Sequence, residues 1–149
     1  MSHWLVRQLF VPPRRSLIDS KVIPAFEISV QELIDEYITN QLRAETEFEG
    51  KLGLFKGTVI ANMREPGGTP LISLTGNPNM AEWTANEPMV VCKLNNQDVP
   101  HVIEFSSGEQ VLVRGEVYGS TSQVVFIDLK GEWGGAYRLR KIRRLSKVN

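Results

Sequence analysis

At Gly50 the spacing of apolar residues changes from helical to alternating, and it stays alternating almost to Trp133. That switch narrows the fold more than any other feature. Before it, "ISVQELIDEYITNQLRAETEFEG" sets Val30, Leu33, Ile34, Tyr37, Ile38, Ala44 and Phe48 on one face at helical spacing. Ser29 with Glu32 three residues on makes a capping box, and Ile28 and Leu33 occupy the two positions of a hydrophobic staple. Gly50 ends the helix as a left-handed C-terminal residue does. One continuous helix is expected, its other face solvated and acidic.

After Gly50 come five alternating stretches: "KLGLFKGTVIANM", "LISLT", "MVVCKL", "QVLVRGEVYG" and "VVFIDLKGEW". They are divided by "EPGGTP", a long loop from Gly76 to Pro88, "NNQDVP" and "GSTSQ", whose Pro, Gly, Asn and Ser residues favour turns. Five strands must protect both edges or close on themselves. Glycine inside a strand marks a bend or a close approach, and Gly57 and Gly115 stand within the first and fourth strands. The expected fold is mainly β, a five-stranded OB-type barrel preceded by one amphipathic α-helix. An open α+β sheet with the helix on one face is the alternative. Residues 1–26, with Pro12, Pro13 and Pro24, read as an N-terminal arm, 27–134 as helix plus barrel, and 135–149 as a basic tail.

The order of small and apolar residues resembles that of the bacterial tRNA-anticodon-like (tRNA_anti-like) OB-fold family. Tyr37, Asn40 and Ala44 precede Phe48, Gly50 and Lys51; Phe55, Gly57 and Val59 follow; then "VVCKL" with Cys92; then Gly108, Val111, Val113, Gly115, Val117 and Gly119. The resemblance spans about residues 30–130 and implies an OB fold, with nucleic-acid binding suggested by the family's name. Leu129 stands where relatives carry a second cysteine, so no paired-cysteine role is implied.

A chain of 149 residues fits one domain, and a net charge of zero gives no overall field toward polyanions. Cys92 is the single cysteine, which excludes an internal disulfide and a Cys-rich zinc site; within an apolar strand it is expected to be a buried, inert thiol. The start "MSHWLVRQLFVPPRRSLID" does not fit a signal peptide, because Arg7 interrupts a short apolar run. No apolar run is long enough to span a bilayer, so a soluble, cytoplasmic protein without membrane contact is expected. His3 and His101 lack partners at relay or metal spacing, no Gly-x-Ser-x-Gly elbow occurs, and "MREPGGTP" lacks the Lys-Ser/Thr of a phosphate loop. Neither catalysis, nor a metal, nor a cofactor is expected.

Binding remains. An OB barrel presents a groove across its second and third strands, and single strands need cations along it and aromatic faces for stacking. Lys56, Arg64, Lys93 and Arg114 are the candidate cations, with Tyr118 and Trp83 the candidate aromatics. Alternation puts Arg114 and Tyr118 on one outward side, opposite Val111, Val113 and Val117. The tail adds Arg138, Arg140, Lys141, Arg143 and Arg144 as phosphate contacts. The rival expectation is a protein-assembly module using the arm and barrel. Leu52 and Leu54 face away from Phe55 and Val59, and if uncovered they suit a protein or homo-oligomer interface.

Overall fold

A computed structural model describes residues 23–79, 84 and 86–139. The elements run β1 (Phe26–Ser29), α1 (Val30–Thr39), α2 (Gln41–Phe48), β2 (Leu52–Arg64), β3 (Pro70–Thr75), β4 (Met89–Lys93), α3 (Val99–Val102), β5 (Gln110–Ser120), β6 (Val124–Asp128) and β7 (Gly135–Arg138).

The capping box forms as expected, each of Ser29 and Glu32 accepting a hydrogen bond from the other's backbone N–H. The single helix does not. Asn40 is extended and serves both halves: its backbone N–H donates to Glu36 O at 3.0 Å, closing α1. Its side-chain oxygen accepts from Arg43 N–H at 3.1 Å, opening α2. An asparagine that satisfies two helix ends breaks the stretch that apolar spacing joins. Ile38, expected on the buried face, is 61% exposed.

β2 makes the closure. Its first half, Leu52–Thr58, pairs antiparallel with β5, and its second half, Thr58–Arg64, with β3. Around the barrel β2 meets β3, β3 meets β4, β4 runs parallel to β6, and β6 meets β5, which returns to β2. That is a closed five-stranded barrel of OB type. Gly57 and Gly115 are where close approach demands glycine. A Cβ on Gly57 would lie 2.6 Å from Val30 Cγ2 of α1, and one on Gly115 would run into the Asp128 carbonyl oxygen.

The barrel interior holds Phe55, Val59, Ile72, Leu74, Val90, Cys92, Val111, Val113, Val117, Val125 and Ile127, all buried. α1 adds Val30, Leu33, Ile34 and Tyr37 to that core, packing against β2, β3, β4 and β6. α3 and the turn after it add Val102 and Phe105. The Cys92 thiol is fully buried, and burial raises its pKa far above the ordinary thiol range.

Three elements lie beyond the expected set. β1 adds parallel to β2 and sets the Phe26 ring edge-on to Phe48 and Phe55, at 5.1 and 5.4 Å. α3 begins at Val99 and Pro100, the last two residues of the segment read as a turn, and runs on to Val102. β7, placed in the tail by its charge, instead pairs antiparallel with β5. Among the described residues no helix is long and apolar enough to cross a membrane.

Candidate functional site

β4, β6 and the C-terminal half of β5 turn their odd and even residues to opposite sides. Val90, Cys92, Val125 and Ile127 go inward, which leaves Val91, Lys93, Phe126 and Asp128 on the outside. The register sets Val91 beside Phe126, and Lys93 between Leu71 of β3 and Asp128 of β6. Between Val117 and Gly119 the β5–β6 register shifts, and a bulge of this kind re-aims the extra side chain. Here it is Tyr118, 45% exposed, with its ring 5.9 Å from that of Phe126. Lys93 Nζ lies 5.1 Å from the centre of the Tyr118 ring. Hydrogen bonding to Tyr118, the leading cause, raises the Lys93 pKa above the ordinary lysine value, with Glu65 and Asp128 acting the same way. The ammonium is therefore charged throughout the neutral range.

The structure thus brings together two of the expected site residues, Lys93 and Tyr118, and supplies a third that sequence reasoning missed. Phe126 was legible as an outward position of "VVFID", one residue off the inward Val125 and Ile127.

The other candidates are placed differently. Lys56 is exposed but lies on the β2 half paired with β5, opposite Leu112 and away from the Lys93 face. Arg64 Nη1 donates to Gly68 O at 2.7 Å and Asn96 Oδ1 at 3.0 Å, so this arginine holds the β2–β3 turn. Arg114, read as an outward groove cation, is only 2% exposed. At that point β5 is flanked on both sides, by Leu54 of β2 and Gly135 of β7, and the side chain is covered; at Tyr118 β7 has ended. Arg138 is engaged by the protein itself. Its Nε lies 2.7 Å from Glu109 Oε2, its Nη2 donates to Glu104 O at 2.6 Å, and its guanidinium lies over the Phe105 ring at 5.6 Å. Trp83, Arg140, Lys141, Arg143 and Arg144 lie outside the described residues, as do His3 and most of the arm.

The leucine pair also needs correction. Leu54 does face outward from the barrel, but it is 4% exposed and clusters with Leu112, Tyr137 and Leu139. β7 brings Tyr137 opposite Leu112, which gives Leu54 neighbours the sequence did not reveal. Leu52, half-buried, lines a cleft with Gly115, Glu116, Asp128 and Trp133.

No known family model matches the chain, and no curated protein matches it by sequence. Solved structures do match. One is the crystal structure of a "putative nucleic acid-binding lipoprotein" from Klebsiella pneumoniae subsp. pneumoniae, similar with a TM-score of 0.50 at 15% identity over 67% of this chain and 86% of that one. At that identity the likeness is one of fold, and it agrees with the closed OB-like barrel.

Proposed function

We propose that this OB-fold chain is a non-enzymatic binding protein that takes single-stranded nucleic acid on the outer face of β4, β5 and β6. The observation that carries the reading is the Tyr118–Phe126 ring pair with the Lys93 ammonium against it. Tyr118 is exposed and Phe126 half-buried beside it; exposed ring faces stack on unpaired bases of any sequence, at about 1–3 kcal/mol per base, and a neighbouring cation meets the phosphate. The name of the similar Klebsiella protein supports the reading through the shared fold. With Arg114 buried and Arg138 paired, Lys93 is, among the described candidate cations, the one that meets the backbone on this face.

The test is fluorescence anisotropy of labelled single-stranded DNA and RNA at low and physiological salt. Tyr118→Ala is expected to weaken binding by about 1–3 kcal/mol. Lys93→Gln is expected to reduce the log–log salt slope by about 0.7, the share of one single-strand phosphate. Absence of binding at low salt, or affinity unmoved by Tyr118→Ala, removes the reading.

A further inference from the structure

Beside the Lys93 face, α3 and the β2–β3 hairpin enclose a cleft of about 180 Å³. Its lining is apolar: Leu94 and Val102 are buried, Leu71 is half-buried, and Met63 and Ile103 stand 51% and 66% exposed on two different elements. The walls are fixed in place. Asn62 Nδ2 donates to Val102 O at 3.1 Å and to Phe105 O at 3.4 Å, tying α3 to β2.

Size limits the occupant. Drug-sized ligands take roughly 300–1,000 Å³. An apolar cavity of about 150 Å³ holds one benzene ring. This cleft therefore fits one aromatic or branched aliphatic side chain. Methionine at the rim adapts to such a guest.

Chemistry limits it further. Arg64 also lines the cleft, and among the described residues its two hydrogen bonds both use Nη1. They hold the guanidinium plane still while Nε and Nη2 form the edge that meets a carboxylate in two parallel hydrogen bonds. Lys93, paired in register with Leu71, adds a second positive charge. Of the carboxylates near these groups, Glu65 and Asp128 act on Lys93, and Glu104 is engaged by Arg138. A nucleobase fits poorly, since its polar edge would meet an apolar lining whose one amide, Asn62, already serves two carbonyls.

We propose that this cleft is a docking site for an acidic protein segment, one apolar side chain filling it while an adjacent carboxylate pairs with Arg64. Protein contact then belongs at α3 rather than at Leu52 and Leu54. The site goes beyond the nucleic-acid reading and does not depend on it.

The probe is a fluorescein-labelled synthetic peptide, Gly-Asp-Glu-Trp-Glu-Asp-Gly, with one control peptide carrying Ala for Trp and another carrying Asn and Gln for the acids. Full-length protein is titrated into each and anisotropy recorded. Saturable binding of the parent peptide with Kd between about 1 mM and 1 μM is expected, with each control at least about tenfold weaker. Ile103→Glu, at an exposed position outside the core, is expected to weaken the parent peptide about tenfold or more. Arg64→Lys keeps the charge, removes the fork and is expected to weaken it too. Tyr118→Ala is expected to leave the peptide unaffected. No binding at millimolar protein, equal binding of the controls, or indifference to Ile103→Glu overturns the site. Single-stranded oligonucleotide binding that falls with Ile103→Glu and displaces the peptide assigns the cleft to nucleic acid, and likewise overturns it. Loss of the peptide alone leaves the oligonucleotide titrations and Tyr118→Ala to judge the ring face.

Discussion

His101 packs its ring edge-on to Phe105 at 4.9 Å. Burial, the leading cause, and the charge of Arg138 hold its pKa below the ordinary histidine value, against a backbone hydrogen bond at Ala136 and the acids Glu104 and Asp98. The sign follows from linkage. Between the lowered folded pKa and the unfolded value of about 6.5, the unfolded chain binds more protons, so stability rises with pH there and is lost as pH falls through that window. His101→Gln is expected to reduce the difference between urea midpoints measured at about pH 7.5 and about pH 5.5. An unchanged difference means that other groups set the acid sensitivity. At this scale the sequence was legible where pleat parity decides: Val111, Val113 and Val117 point inward, and Tyr118 stands outward at the bulge that follows them. It failed at Arg114 and Leu54, because parity says which side a residue takes and nothing about what later covers that side.

Among the elements, the Asn40 junction is the most economical. One residue closes α1 and caps α2, so Asn40→Ala is expected to cost about 1 kcal/mol, read as a lowered urea midpoint with little change in slope. An unchanged midpoint means that the two helices are held by their packing alone. The barrel strands were legible in the sequence because alternation and turn clusters coincide along them. β1 was not, since four residues joined directly to a helix cap show too little alternation to separate from the helix. β7 was hidden by its place at the head of a basic run. α3 begins at Val99-Pro100, where proline suits a first helical turn as well as the turn it was taken for.

Across the whole molecule, closure rests on β2 and β5 lying close enough for Gly53 to face Gly115. Gly115→Val drives a side chain into the Asp128 carbonyl and Leu129 Cδ2, and is expected to destabilise by about 1–3 kcal/mol or more. Gly119→Ala, with nothing within 4 Å of the added carbon, is the matched control and is expected to change the thermal midpoint little. Equal effects of the two would mean that the barrel tolerates a wider β5–β6 spacing than its contacts indicate. The strand order has one more consequence, and it concerns synthesis. β4 pairs in parallel with β6 across the whole of α3 and β5, while the front half of β2 waits for β5. A chain leaving the ribosome carries β2, β3 and β4 with Ile72, Leu74, Val90 and Cys92 covered by α1 alone until the last two barrel strands emerge. During that interval the exposed apolar faces and unpaired strand edges are the kind of surface that aggregates, so β5 and β6 complete the core as well as the ring.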